Sequence, residues 1–100
     1  MKGLLGLAQR AGKLSSGDDV VRRRLGKSRY QLLLLARDAS PRTKEIREIA
    51  AASGCPIIEF ATKNELGAAL GKPDRAVILI EDRGFIERAL SLVGEREQGQ

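Results

Sequence analysis

Three short apolar runs constrain the fold of this chain most strongly. Residues 30–36 (YQLLLLA) and 76–80 (AVILI) are continuous, and residues 56–61 (PIIEFA) lie between them. Runs of this length without a polar face are typical of strands that helices cover on both sides. The intervening segments suit helices of about ten residues. The sequence therefore predicts an α/β fold, a three-layer α/β/α sandwich with a small mixed sheet of about four strands.

The N-terminal third contains two predicted helices. Apolar residues recur at helical spacing over residues 2–11, and residues 13–15 are interpreted as a short edge strand. Ser16 is predicted to cap the second helix, where Asp18 and Asp19 complement the positive end of the helix dipole. The apolar positions assigned to this helix are Val20, Val21 and Leu25.

Helix caps and apolar spacing predict three further helices. Ser40 and Pro41 stand in the order of a cap and a first helical position. Thr62 followed three residues later by Glu65 is the pattern of a capping box. The apolar residues of the last helix are Phe85, Ile86, Ala89, Leu90, Leu92 and Val93.

The chain has 100 residues, which is enough for one compact domain and too few for two. We assign residues 1–94 to a single domain and residues 95–100 to a polar C-terminal tail. No apolar run approaches the roughly 18 residues of a membrane span. The lone cysteine, Cys55, cannot form an internal disulfide and is interpreted as a small buried residue. We expect a reducing, cytoplasmic location.

The composition excludes several kinds of active site. With no histidine and one cysteine, the chain cannot build a Ser-His-Asp triad, a Cys-His nucleophile or a typical zinc site. No glycine-rich nucleotide loop follows a strand. Helix-dipole complementation explains the carboxylate pair at 18–19, and a polar strand exit explains the pair at 81–82, better than acid–base catalysis does. We predict a protein that is not an enzyme and uses no cofactor, metal or small-molecule substrate.

Basic side chains are concentrated in the N-terminal half. The formal net charge is +5. Residues 1–50 carry twelve basic and five acidic side chains, a net +7, whereas residues 51–100 carry a net −2. This asymmetry favours a polyanionic partner, and an exposed basic helix face explains it equally well.

Many of these basic residues flank the start of the second helix. A helix start offers free backbone N–H groups to a phosphate, and Gly17 would let a nucleic-acid backbone approach closely. Asp18 and Asp19 favour an ordinary capped helix instead, unless they accept hydrogen bonds from base amino groups. Only three residues are aromatic, so a single-strand binder with a stacking platform is excluded.

Four segments together resemble a known family. They are Gly12–Gly17 (GKLSSG), the helix after it, Ala36–Pro41 (ARDASP) and Leu66–Lys72 (LGAALGK). In this order and spacing they resemble the kink-turn-binding ribosomal protein superfamily of large-subunit seven-Ae and thirty-e type, especially its small bacterial YlxQ-like members. The resemblance covers residues 3–93.

The resemblance implies a sandwich that binds a kink-turn, an RNA helix bent sharply at a bulge flanked by sheared G·A pairs. It implies that Asp19 and Val20 occupy base-reading positions, that Lys13 contacts phosphate, and that Arg75 and Ala76 lie beside an extruded nucleotide. The full set implied at the RNA interface is Lys13, Gly17, Asp18, Asp19, Val20, Arg22, Arg23, Lys27, Arg75 and Ala76.

The chain departs from the family pattern at two of these positions. Members commonly have Asn-Glu, or Lys with a polar residue, where this chain has Asp19 and Val20. Asp19 can accept a hydrogen bond from a base amino group, whereas Val20 can make no polar contact.

We expect non-catalytic binding of structured RNA, a ribosomal or other kink-turn RNA, in ribosomes or in their assembly. A protein-interaction module on the same fold is the first alternative, favoured by Val20 and by the nearly neutral second half. An RNA-modifying enzyme is a second alternative, which the missing histidines and the lone cysteine disfavour.

Overall fold

The computed structural model describes the backbone of residues 1–98 and the side chains of residues 1–93. Within these residues the chain forms five α-helices, four strands and a short 3-10 turn at Pro41–Thr43. In chain order the elements are α1 (Lys2–Arg10), β1 (Leu14–Ser16), α2 (Asp18–Arg24), β2 (Leu32–Leu35), α3 (Lys44–Ala52), β3 (Ile57–Glu59), α4 (Lys63–Ala69), β4 (Val77–Ile80) and α5 (Arg83–Gln98).

The strands form one mixed sheet in the order β1-β4-β2-β3. β2 and β3 are parallel and are joined through α3, whereas β4 is antiparallel to both β1 and β2. The two continuous apolar runs supply β2 and β4 in the centre, and all eight residues of these strands are fully buried.

Helices cover both faces of the sheet. Side chains alternate between the two faces along each strand, so each central strand contributes to two cores. Leu32, Leu34, Ile78 and Ile80 pack against residues of α1, α4 and α5. Leu33, Leu35, Val77 and Leu79 pack against residues of α2 and α3. The predicted three-layer α/β/α sandwich with a mixed sheet is confirmed.

The helix starts agree with the sequence in one case and differ in another. The capping box forms as predicted: the Glu65 N–H donates to Thr62 Oγ1 at 3.2 Å and the Thr62 N–H to Glu65 Oε1 at 3.0 Å. The bond from the Thr62 N–H also lowers the pKa of Glu65. The cap predicted at Ser16 is wrong, because Ser16 ends β1 and the N-cap of α2 is Gly17.

Two further expectations about side chains need correction. Val20 was expected on the apolar face of α2, but it is 37% exposed, whereas Val21 and Leu25 are buried. Leu90 of α5 is likewise 44% exposed. In each case the residue lies on the solvent side of a helix whose core face is supplied by its neighbours.

α5 continues to Gln98, so the predicted polar tail at 95–100 begins inside this helix. The last two residues of that tail, 99 and 100, lie outside the described part of the chain. No helix in the described chain has both the length and the apolar character needed to cross a bilayer.

The antiparallel pairing of β1 and β4 separates two ends of the sheet. At the Gly17 end, β1 finishes where β4 begins, and the Gly17 N–H donates to the Val77 carbonyl at 3.2 Å. At the Glu81 end, β4 finishes beside the start of β1, and the Glu81 N–H donates to the Lys13 carbonyl at 2.9 Å. At about 3.3 Å per residue, the ends are roughly 13 Å apart.

Candidate functional site

A turn at Gly17 connects β1 to α2. The Gly17 backbone has φ 97° and ψ 150°, a region that is essentially restricted to glycine. A Cβ built at this position would meet no atom within 4 Å. The turn therefore presents bare backbone to open space, with the exposed side chains of Asp19 and Val20 immediately after it.

Arg75 connects this turn to the loop between α4 and β4. Its Nε donates to Ser16 Oγ at 3.2 Å, and its Nη1 donates to the carbonyls of Asp74 at 3.1 Å and Pro73 at 3.4 Å. The Arg75 N–H donates to the Lys63 carbonyl at 3.0 Å. These contacts bring segments 59 residues apart into one surface.

Gly67 determines how closely this loop packs on α4. A Cβ at Gly67 would lie 2.2 Å from the Pro73 carbonyl oxygen and 2.9 Å from that of Lys72. The Lys72 N–H donates to the Gly67 carbonyl at 2.9 Å. Gly67 lies within the LGAALGK segment, but no local pattern in the sequence indicates this role, since only the folded structure shows the loop crossing over it.

The three consecutive arginines of α2 have different surroundings. Arg22 Nε lies 3.4 Å from Glu45 Oε1, an ion pair without hydrogen-bond geometry. Arg23 is exposed and makes a long 3.4 Å bond from Nε to the Asp19 carbonyl. Arg22 and Arg23 line a shallow depression of about 410 Å³ together with Asp19.

Arg24, the third arginine, belongs to a network centred on Glu81. Its Nη2 and Nε donate to the two Glu81 carboxylate oxygens at 2.8 and 3.0 Å, and the Ser28 hydroxyl donates to the same group. Gln31 Nε2 adds a bond of 3.0 Å. These donors, Arg24 above all, lower the pKa of Glu81 to about 2. Glu81 is therefore an ionised structural group.

The residues that the family resemblance implied at one interface lie at two ends of the sheet in the structure. Gly17, Asp18, Asp19, Val20, Arg75 and Ala76 lie together at the Gly17 end, and Arg22 and Arg23 follow along α2. Lys13 and Lys27 lie at the opposite, Glu81 end. Ser16, which was expected only as a helix cap, instead holds Arg75 against the turn.

A comparison with known families finds a match that covers most of the chain. The model of the ribosomal protein L7Ae/L30e/S12e/Gadd45 family matches residues 1–89. The chain belongs to this family. The resemblance inferred from its motifs is thereby confirmed, and the matched region contains both the Gly17 turn and the loop of Arg75.

Two curated relatives of this L7Ae-family chain are named RNA-binding protein YlxQ. The relative from Bacillus subtilis (strain 168) is 36% identical over 91 residues, covering 90% of this chain and 91% of its own. The relative from Enterococcus faecium is 32% identical over 91 residues, covering 90% of this chain and 87% of its own. The names of these relatives describe binding proteins rather than enzymes.

Two solved structures share the fold of the L7Ae-family chain. A protein with unknown function from Bacillus halodurans C superposes with a TM-score of 0.84 at 31% identity, over 93% of this chain and 95% of its own. The Giardia lamblia 15.5kD RNA binding protein superposes with a TM-score of 0.75 at 19% identity, over 97% of this chain and 84% of its own. At that lower identity the likeness concerns the fold alone.

The remaining reactive group of this L7Ae-family chain is Cys55. It is 8% exposed in the core beneath α2 and α3, and burial raises the pKa of its thiol. Its environment is thus that of a packed side chain. Within the described residues, no three carboxylate, cysteine or histidine side chains cluster as a metal site.

Proposed function

We propose that this L7Ae-family protein binds structured RNA of the kink-turn type, in the cytoplasm, in ribosomes or during their assembly, without catalysing a reaction. The RNA-binding names of the two YlxQ relatives support RNA as the partner. One observation carries the proposed location. The 3.2 Å bond from Arg75 Nε to Ser16 Oγ joins the Gly17 turn and the loop at 71–76 into one surface.

Hydrogen-bond acceptors dominate the polar chemistry of the turn. α2 has only seven residues, and Asp18 and Asp19 oppose the positive end of its dipole. Recognition of a bare phosphate by the helix start is therefore weak. The exposed Asp19 carboxylate instead accepts from the amino group of a base that reaches over Gly17. Val20 adds an apolar contact.

Phosphate contacts come from the arginines around the turn. Arg23 is exposed and weakly engaged, so its guanidinium is available to the RNA backbone. The bonds of Arg75 within the described residues use Nε and Nη1. Nη2 remains to donate to an extruded nucleotide that packs beside Ala76.

Crosslinking in cells tests this site. Protein-bound RNA is crosslinked and sequenced, and the crosslinked peptides are mapped on the chain. We expect RNAs that contain kink-turns, with crosslinks at 16–23 and 72–76. Crosslinks confined to α3 or α5 would contradict the proposed site.

A protein-interaction module is the second candidate. Val20 is exposed in the middle of the proposed interface, and Leu7 and Leu90 are exposed by 51% and 44%. A pull-down with and without RNase separates the candidates. A specific partner protein that survives RNase favours the module, and loss of all partners favours RNA.

A further inference from the structure

Most of the basic residues in the N-terminal third do not lie at the Gly17 turn. Eight lysines and arginines precede residue 31. Five of them occupy the C-terminal ends of α1 and α2 and the segments that follow, which all lie at the Glu81 end. These five are Arg10, Lys13, Arg24, Lys27 and Arg29, and Arg83 joins them at the start of α5.

The segment that carries several of these cations is held by a buried side chain. Gln31 is 8% exposed. Its Oε1 accepts from the Gly26 N–H at 2.8 Å, and its Nε2 donates to the Arg24 carbonyl at 2.7 Å and to Glu81 at 3.0 Å. The loop between α2 and β2 is therefore fixed from beneath, with Lys27 and Arg29 on its exposed side.

The carboxylates at this end leave part of the positive charge unbalanced. Glu81 pairs with Arg24, Glu87 pairs with Arg83 at 2.9 Å, and Asp82 accepts from the Phe85 N–H at 2.9 Å as the cap of α5. Apart from Arg10, three exposed cations at this end make no ion pair with any residue in the described part of the chain. These are Lys13, Lys27 and Arg29.

The Tyr30 ring helps to position two of the arginine side chains at this end. Its ring is 41% exposed, and the guanidinium carbons of Arg29 and Arg83 lie 5.6 and 5.9 Å from the ring centroid. Cation–π contacts at this distance are attractive. They hold the guanidinium groups of both arginines beside one ring, and planar guanidinium donors match the geometry of phosphate oxygens.

We propose that the Glu81 end is a second RNA-binding surface, which grips the phosphate backbone of a duplex arm that extends from the RNA at the Gly17 end. This inference rests on the proposed function. Lys13, Lys27 and Arg29 contact phosphates directly, and Tyr30 positions the guanidinium of Arg29. The surface exposes cations around one aromatic ring, which suits a polyanion better than a protein partner that needs an apolar anchor.

The dimensions of the protein allow one RNA to reach both ends. Its principal extents are 32, 28 and 27 Å. At roughly 3.4 Å per base pair, about ten base pairs span that distance. Because the contacts at the Glu81 end are to phosphates, they do not require a kink-turn, and this independence makes the surface separately testable.

The test uses two RNAs and two matched triple variants. One RNA is a plain duplex of about 20 base pairs, and the other carries a kink-turn within the same duplex. One variant combines Lys13→Ala, Lys27→Ala and Arg29→Ala. The control combines Arg37→Ala, Arg42→Ala and Lys44→Ala, three exposed residues away from the Glu81 end that give the same change in net charge. Circular dichroism confirms that both variants are folded.

We expect the wild type to bind the plain duplex at low salt. The Lys13/Lys27/Arg29 variant should bind it about tenfold more weakly, and the slope of log affinity against log salt should fall by about three units. The control should change the affinity by less than about threefold, and a variant with Lys13→Arg, Lys27→Arg and Arg29→Lys should retain it.

Three outcomes separate the two proposals. Equal weakening by both triple variants, or no binding of the plain duplex by the wild type, overturns the second surface. Equal affinity of the wild type for the two RNAs overturns the kink-turn proposal alone. In that case the affinities of the wild type and the two triple variants for the plain duplex still test the second surface.

Discussion

Arg22, Arg23 and Arg24 are consecutive in the sequence but contact different partners. Arg22 faces Glu45 of α3, Arg24 binds Glu81 after β4, and Arg23 faces solvent with one long bond to its own helix. A charge count treats them alike because it contains no information about which carboxylate approaches from another element. The structure leaves Arg23 as the arginine of this group that is best placed for RNA.

Replacing these arginines one at a time should separate binding from stability. Arg23→Ala should lower the salt slope of kink-turn binding by about one unit and leave the thermal midpoint unchanged. Arg24→Ala should lower the midpoint, because Glu81 loses its principal donor. Salt-dependent titrations and thermal unfolding measure both effects. An unchanged salt slope in Arg23→Ala would remove that residue from the interface.

Gly17 tests the turn itself. Gly17→Ala forces a side chain into a backbone conformation restricted to glycine, which should cost about 1–3 kcal/mol of stability. The new methyl group also points into open space, on the side from which we propose that the RNA approaches. Kink-turn affinity should therefore fall even at temperatures where the variant is fully folded.

Gly54→Ala is the matched control for Gly17→Ala. Gly54 has φ 73° and also has no atom within 4 Å of a built Cβ, but it lies after α3, away from the turn. We expect it to lower stability and to reduce the affinity for kink-turn RNA much less than Gly17→Ala does. Equal loss of affinity in both variants would show that backbone strain alone, rather than the position of Gly17, accounts for the effect.

At the scale of elements, the central strands were the most predictable part of the chain. β2 and β4 are covered on both faces, so every residue of each strand is buried and apolar. An unbroken apolar run in the sequence is therefore enough to identify them. The start of α2 was less predictable, because a serine before two aspartates has the pattern of a cap. A contact with Arg75, distant in the sequence, gives the Ser16 hydroxyl a different partner.

The loop between α4 and β4 depends on Gly67. Gly67→Ala places a methyl group against backbone atoms that cannot move without displacing the loop, so stability and kink-turn affinity should both fall. Gly3→Ala is the control, since its Cβ meets nothing within 4 Å and alanine favours the helix by about 1 kcal/mol. A folded Gly67→Ala protein with wild-type affinity would show that the loop does not contact RNA.

The Glu81 network should make stability sensitive to acid. The pKa of Glu81 is lowered from 4.5 to about 2 in the folded protein, so the unfolded state binds a proton more readily. The stabilisation is complete above the unfolded pKa and is lost as the pH falls towards the folded pKa. Glu81→Gln should therefore flatten the dependence of the unfolding free energy on pH below 4.5 by up to one proton.

Chemical denaturation at several pH values measures this linkage. Asp74→Asn is a suitable control, because Asp74 is an exposed carboxylate at the other end of the sheet and accepts one long bond of 3.4 Å from Asn64. Parallel pH profiles for the wild type and Glu81→Gln would contradict the role given to the network.

Across the whole molecule, the directions of the strands determine where the basic residues lie relative to the Gly17 turn. Lys13 and Gly17 are separated by one short strand, yet that strand carries them to opposite ends of the sheet. The sequence correctly indicated an excess of cations and a glycine turn, and it placed both in one site. Only the antiparallel pairing of β1 with β4 separates them, and this pairing leaves no local signal in the sequence.

Recognition of a kink-turn by the Gly17 end is the function that we propose for this protein. Its most direct test is the Kd of the wild type for a kink-turn RNA, compared with the same RNA in which Watson–Crick pairs replace the sheared G·A pairs. We expect a Kd at least about tenfold lower for the kink-turn, a difference of about 1.4 kcal/mol, and we expect Gly17→Ala to remove this difference. Equal Kd values for the two RNAs would contradict it.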